Sequence, residues 1–160
     1  MDINTIMRTL HVVSGTVWFG QVVVINFILL PSLAKFDSAM RNKFVTTIFP
    51  KIFKLASHLA LITVLTGIHL VISLTDADLS DLLNGRWGLS ILIGGSLGLL
   101  LTTFHFFIEN RLIKKIKIGE EGDATTIDDV YLKLKVVPRF GLVVITLILL
   151  LMINASRGIY

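Results

Sequence analysis

Residues 9–34 read TLHVVSGTVWFGQVVVINFILLPSLA and contain no Asp, Glu, Lys or Arg. A transmembrane helix needs about 17–25 predominantly apolar residues, so this stretch is long enough to cross a bilayer. Three further uncharged stretches follow, at residues 55–75, 87–108 and 140–156. The chain therefore contains four candidate membrane helices.

The composition of the whole chain agrees with a membrane protein. Hydrophobic residues make up 54% and charged residues 16% of the chain, and the mean hydropathy is +0.82, whereas a soluble domain has about 45–50% apolar and about 25% charged residues. The first helix ends near Pro31 and runs into a basic loop rather than a small-residue cleavage site, so we expect it in the mature protein. The predicted fold is all-α, a single integral membrane four-helix bundle with spans at about residues 7–33, 52–75, 87–112 and 136–156.

The distribution of Lys and Arg predicts the orientation, because positively charged flanks of membrane helices stay in the cytoplasm. Twelve of the 15 Lys and Arg residues lie in or beside the first and third loops, and three lie on the opposite side. We therefore expect both termini outside, loops one and three in the cytoplasm, and a multi-pass protein of the cell membrane. The pI of about 9.6 then reflects this asymmetry and not nucleic-acid binding.

Polar stretches between the spans predict where the helices begin and end. Residues 37–50 form an amphipathic stretch that we expect at the inner interface, with the second helix starting after Pro50. Residues 109–117 are predicted to carry the third helix into the cytoplasm, and residues 119–129 to form a solvated, turn-rich loop. All carboxylates lie in such loops or at the termini, so the sequence indicates no general acid and leaves enzyme status open.

All four histidines, His11, His58, His69 and His105, fall within predicted membrane spans, where ionisable residues are costly and are functional candidates. At a rise of about 1.5 Å per residue, His58 and His105 lie roughly 10 and 11 Å to the cytoplasmic side of the midplane, which predicts a matched inner pair. His69 lies roughly 6 Å and His11 roughly 13–15 Å on the outer side, which predicts a looser outer pair.

These depths fit two stacked haem groups. His58 and His69 are eleven residues apart, so both rings project from one helix face about 16 Å apart along the axis. Gly15 and Gly98 leave room beside the histidines, and Arg8 and Arg139 stand at levels where cations would meet haem propionates. The chain has no cysteine, which excludes disulfides, thiolate metal sites and haem attachment through Cys-x-x-Cys-His.

Motifs in three helices resemble two families of small membrane proteins. Leu10-His11 followed by Trp18-Phe19-Gly20, and then Leu65-Thr66-Gly67, Gly85-Arg86-Trp87-Gly88 and Phe104-His105, are similar to the membrane domain of the copper-resistance protein D (CopD) family. The first helix also resembles the HemJ-type protoporphyrinogen oxidases. The first resemblance implies copper uptake, and the second implies a haem b and the oxidation of protoporphyrinogen.

Three functions follow as hypotheses. The first is a haem-b membrane cytochrome for transmembrane electron transfer, with bis-His ligation of one or two haems by the two histidine pairs. The second is a copper-binding or copper-transport protein that uses Met7, His11 and His69, because thioether and imidazole ligands suit copper. The third is a cofactor-free accessory subunit of a larger membrane complex.

The partners expected from the sequence are the lipid bilayer and either a redox protein, a quinone or a larger membrane complex, with homo-oligomerisation left open. A purely structural interpretation of the histidines also stands beside the haem hypothesis. In that interpretation their rings form hydrogen bonds across helices, with Ser14, Gln21, Asn26, Ser57, Thr66 and Thr102 as the partners.

Overall fold

Four long helices make up nearly all of the computed structural model, which describes residues 2–83, 85–120 and 124–157. They are α1 (Ile3–Leu33), α2 (Ser38–Leu74), α3 (Gly85–Glu120) and α4 (Ala124–Arg157), with a short 3₁₀ helix at Leu79–Leu83. The described residues contain no strand. All four helices are long and apolar enough to cross a membrane, so the predicted all-α four-helix fold is confirmed.

The apolar side chains of the bundle point mainly outward. In the most apolar window of each helix no more than 17% of the residues are buried, and side chains such as Phe27 and Leu100 are about two-thirds exposed, at 68% and 66%. A soluble bundle buries its apolar stripes instead. This surface fits a multi-pass membrane protein surrounded by lipid.

Consecutive helices pack against one another, α1 on α2, α2 on α3 and α3 on α4, and α4 returns to contact α1. Short connections between such neighbours are typical of an up-and-down bundle. Two clusters of buried side chains lie along its axis. The mid core comprises Trp18, Ala56, Ala60, Leu101 and Ile145. The basic-end core, next to loops one and three, comprises Ile25, Leu30, Leu33, Val45, Phe49, Phe53, Leu112, Ile116, Ile127, Val130, Tyr131 and Leu134.

Helix α2 is continuous from Ser38 through Pro50, so the prediction that it starts after the proline is wrong. Asp37 caps its first turn by accepting a hydrogen bond from the Met40 amide at 2.8 Å. An internal proline costs a helix about 3 kcal/mol. Val45 and Phe49 offset that cost, because both side chains are fully buried in the basic-end core and each contributes about 1.5–3 kcal/mol on burial.

Helix α4 likewise begins before its predicted span, at Ala124 rather than near residue 136, and continues through Pro138. The part of the predicted 119–129 loop from Ala124 onward is therefore helical, while residues 121–123 lie outside the described residues. Ile127, Val130 and Leu134 recur at helical spacing and are buried in the basic-end core. Their burial explains why this polar-looking stretch continues the helix.

Helix α1 contains one π-helical turn at Ile25–Leu29, where the Leu30 amide donates to the Ile25 carbonyl five residues earlier. Within this turn the Asn26 side-chain amide donates to the carbonyl oxygens of Val22 and Pro138, at 2.8 and 2.9 Å. The second bond ties α1 to α4 at the proline. Single π turns inside α-helices are frequent at functional sites, and this turn lies between the two cores.

Candidate functional site

A polar cluster of Ser57, His105 and Glu109 lies between the mid core and the basic-end core. The Ser57 hydroxyl donates a hydrogen bond to the Glu109 carboxylate, and its oxygen lies 3.2 Å from His105 Nε2. His105 Nε2 is also 3.5 Å from Glu109 Oε2, and the two side chains are only 19% and 12% exposed. A buried acid, a base and a hydroxyl thus share one site.

The helical repeat explains how this cluster forms. His105 and Glu109 are four residues apart on α3 and therefore project from the same face, and Ser57 faces them from α2. The rings of Trp18, Phe53 and Phe106 pack edge-on around the imidazole, with centroid distances of 6.1–6.5 Å. These rings hold the imidazole in place and separate the cluster from lipid.

A small cavity opens beside the cluster and is lined by residues of all four helices. Its volume is about 80 Å³, which is enough for a few water molecules and well below the 300–1,000 Å³ of a typical pocket for a drug-sized ligand. His105, Glu109 and Gln21 are its polar wall residues, and Trp18, Phe53 and Phe104 are aromatic ones.

The orientation of the Gln21 side chain follows from its hydrogen bond. Its Nε2 donates to the Ile52 carbonyl oxygen at 2.7 Å, and a carbonyl can only accept, so the amide nitrogen must face α2. The other atom, Oε1, is buried and has no hydrogen-bond partner in the described part of the chain. Because buried polar atoms are almost always paired, this acceptor is available to a donor that enters the cavity.

Glu109 was missed by the sequence reasoning, which placed every carboxylate in a loop or at a terminus. Residues 109–117 extend α3 as predicted, but the Glu109 side chain is nearly buried instead of lying in a cytoplasmic loop. Its four-residue spacing from His105 was the signal that could have identified it, since that spacing puts an acid and a base on one helix face.

His11 lies in the contact between α1 and α2. Its Nδ1 donates to the Thr63 carbonyl oxygen at 2.8 Å, and Thr66 Oγ1 is 3.4 Å from the same nitrogen. A Cβ added at Gly67 would come within 2.9 Å of the ring. Gly67 thus makes room for the imidazole of His11.

His58 is exposed on the outer surface of α2. Its Nδ1 donates to the carbonyl oxygen of Lys54 in the preceding turn, at 2.6 Å. His105 is instead bonded to Ser57, the neighbour of His58, and successive helical residues point about 100° apart. The structure therefore does not bring the predicted inner pair, His58 and His105, to one site.

His69 lies near the opposite end of α2, where its Nε2 donates to Asn4 Oδ1 at 3.2 Å. It lines an open groove together with Met7, Leu10 and Thr66. His11 is not among the groove residues, so the predicted outer pair is also not brought together there. Of the predicted copper ligands, the groove brings Met7 and His69 together and leaves His11 in the helix contact.

The other predicted site residues have simple surroundings. Gly15 faces Thr63, whose Cγ2 lies 3.5 Å from the position of an added Cβ, whereas nothing lies within 4 Å at Gly98. Arg8 and Arg139 are exposed. Close helix packing is clearest at Gly94, where an added Cβ would meet the Met152 methyl group at 2.5 Å.

The structure does not bring the predicted inner pair to one site or place His11 in the groove of His69, and the cavity at His105, at about 80 Å³, is too small for a porphyrin. The described residues also contain no group of three or more His, Asp or Glu side chains arranged to hold a metal ion. The hydrogen bonds of His105 to Ser57 and of His11 to Thr66 agree instead with the structural interpretation of the histidines.

Comparisons with protein-family models, with curated proteins and with solved structures find no match. The resemblance to the CopD and HemJ-type families therefore stays a prediction, and so do the activities that it implies.

Proposed function

We propose that this protein handles protons within the membrane, with Ser57, His105 and Glu109 as its proton-binding site. The observation that carries the proposal is the placement of an imidazole, a carboxylate and a bridging hydroxyl in one nearly buried cluster on two helices. Ionisable residues inside membrane bundles commonly form proton relays.

The chemistry of the cluster supports this proposal. One proton shared between Glu109 and His105 gives either a neutral acid beside a neutral imidazole or a carboxylate beside an imidazolium, and both arrangements are electrically neutral overall. A bare buried charge would be far more costly. The Ser57 hydroxyl can accept a hydrogen bond from one partner while donating to the other, so it can pass a proton between them.

Infrared difference spectroscopy of the purified protein in lipid tests the proposal. Lowering the pH should produce a carboxylic-acid band that is absent from the E109Q variant, together with imidazole bands that are absent from H105Q. The matched control is D128N, which removes an exposed carboxylate at the basic end. Protonation bands that are the same in wild type and E109Q would overturn the proposal.

Haem-b binding for transmembrane electron transfer is the second candidate, and it is supported by the tethered rings of His11 and His58. In both, Nδ1 donates to a backbone carbonyl, at 2.8 and 2.6 Å, which leaves Nε2 with the free lone pair. Histidines that bind metals usually have their other nitrogen tethered in this way. Absorption spectra of the oxidised and the reduced purified protein test haem binding. Spectra without haem bands would reject this candidate.

Metal analysis of the same sample tests the copper alternative, in which Met7 and His69 are the ligands that share the outer groove. Bound copper that is lost in M7L would support it. The accessory-subunit alternative draws on the exposed apolar helix faces, which could contact partner helices as well as lipid. It predicts that the protein purifies only together with other subunits.

A further inference from the structure

The cavity beside Glu109 has an unusual set of polar groups. Its wall includes Glu109, His105 and Gln21, and in the described part of the chain the Gln21 amide oxygen has no hydrogen-bond partner. An ionised carboxylate and an amide oxygen can only accept hydrogen bonds. Trp18 adds one indole N–H, and the other described wall residues are apolar, so a ligand that brings several donors matches these acceptors.

The charges of the side chains in the cavity wall favour a cationic ligand. Among the described residues, Glu109 and His105 are the only titratable side chains in its wall, both on α3, and α1, α2 and α4 contribute no charged residue to it. An ionised Glu109 therefore has no basic side chain of another helix beside it in this cavity. A cation would neutralise the carboxylate where water is scarce and Coulomb attraction is strong.

We propose that this cavity binds a small ammonium-type cation, the ammonium ion or methylammonium, between Gln21 Oε1 and the Glu109 carboxylate. The inference rests on the proposed function, since the carboxylate that holds the cation is the one that takes up the proton. Proton and cation therefore compete, and binding of the cation requires Glu109 to be ionised.

The number and kind of acceptors favour N–H donors over a metal ion. Hard cations such as Ca²⁺ and Mg²⁺ take six or more oxygen ligands, and the wall supplies one amide, one carboxylate and one imidazole. An ammonium group has three or four N–H bonds, which matches this set. The volume of about 80 Å³, which is enough for a few water molecules, accommodates ammonium or methylammonium.

Isothermal titration calorimetry of the purified protein tests the proposal. Ammonium, methylammonium, tetramethylammonium and potassium chlorides are each titrated at constant ionic strength set by sodium chloride. We expect saturable binding of ammonium and methylammonium, and at least tenfold weaker binding of potassium, which cannot donate hydrogen bonds, and of tetramethylammonium, which also lacks N–H bonds. Equal binding of potassium would overturn the proposal.

Two variants and one matched control locate the site. E109Q and Q21M should each weaken ammonium binding at least tenfold. N42L is the control, because Asn42 also has a buried Oδ1 without a hydrogen-bond partner in the described part of the chain but does not line the cavity. Its binding should match wild type, and thermal unfolding of each variant verifies the fold. Unchanged binding in a folded Q21M, or an equal loss in a folded N42L, contradicts the proposed site.

The infrared experiment on Glu109 separates the two proposals. If the Glu109 band titrates and ammonium does not bind, the proton site stands and the cavity holds only water. If neither is observed, both proposals fall.

Discussion

Gly67 of α2 lies directly against the imidazole of His11 of α1, so that an added Cβ would come within 2.9 Å of His11 Cε1 and 3.2 Å of Nδ1. The ring cannot retreat freely, because Nδ1 is bonded to the Thr63 carbonyl oxygen at 2.8 Å. Gly67 and Thr63 thus position His11 from two successive turns of α2.

Replacing Gly67 with alanine should displace the His11 ring and break its bond to Thr63. We expect G67A to lower the free energy of unfolding by about 1–3 kcal/mol, as overpacked helix contacts usually do. The measurement is denaturant unfolding in detergent, combined with ¹⁵N-histidine NMR of the Nδ1 proton. G98A is the control, because nothing lies within 4 Å of an added Cβ there. A G67A protein as stable as G98A would contradict this packing.

Phe49 should contribute more to stability than an equally large side chain on the outer surface. It is fully buried in the basic-end core, whereas Phe27 is 68% exposed. Phe49→Ala removes buried contacts and leaves a cavity, so we expect a loss of about 3–5 kcal/mol. Phe27→Ala is the matched control and should cost much less. Equal losses in denaturant unfolding would show that the basic-end core is not packed as described.

The first turn of α1 should loosen in acid. Asp2 accepts hydrogen bonds from the Thr5 amide at 2.7 Å and from the Thr5 hydroxyl, and chiefly the amide bond lowers the pKa of Asp2 below its ordinary value of 3.8. A carboxyl group with a lowered pKa stabilises the fold above its unfolded pKa, and this contribution is lost as the pH falls through the folded pKa.

Hydrogen exchange of the Thr5 amide measures this effect. Protection should decline as the pH falls below 3.8, after correction for the intrinsic pH dependence of exchange. D2N is the control, since asparagine caps helices about as well as aspartate and does not titrate, so its corrected protection should stay constant. The same acid-induced decline in D2N would assign the loosening to another group.

The predicted orientation can be tested directly because the chain has no cysteine. Single cysteines introduced as D78C and K133C lie at opposite ends of the bundle. A membrane-impermeant maleimide added to intact cells should label D78C at once and K133C only after permeabilisation. The reverse pattern would place loops one and three outside and would contradict the inference from the Lys and Arg distribution.

The fold class was predictable because four uncharged stretches of sufficient length leave few alternatives. The helix ends were not, because Pro50 is a breaker by local rules and residues 119–129 are polar, and only the burial of residues such as Phe49 and Val130 overrides these local signals. That burial depends on contacts between helices far apart in the sequence. The local sequence therefore predicts where the apolar spans lie but not that α2 and α4 begin before them.

The candidate site was predictable only in part. His105 was identified from its position in a span, and its partner Ser57 was among the expected hydrogen-bonding residues. The direction of His58 depends on the rotation of α2 about its axis, which depth along the axis cannot reveal. Glu109 was overlooked because it begins the polar end of α3, and only the packing of Phe53 and Ile108 around the cavity shows that it points inward.

The π-helical turn at Ile25–Leu29 sets the angular phase of α1. One additional residue per turn shifts every later side chain by about 100° around the helix axis relative to an uninterrupted α-helix. Trp18 and Gln21 before the turn can then face the cavity while Leu33 after it faces the basic-end core. Deleting a single residue from the turn would restore a regular helix and rotate Leu33 toward lipid, so the inserted residue keeps both halves of α1 facing the interior of the bundle.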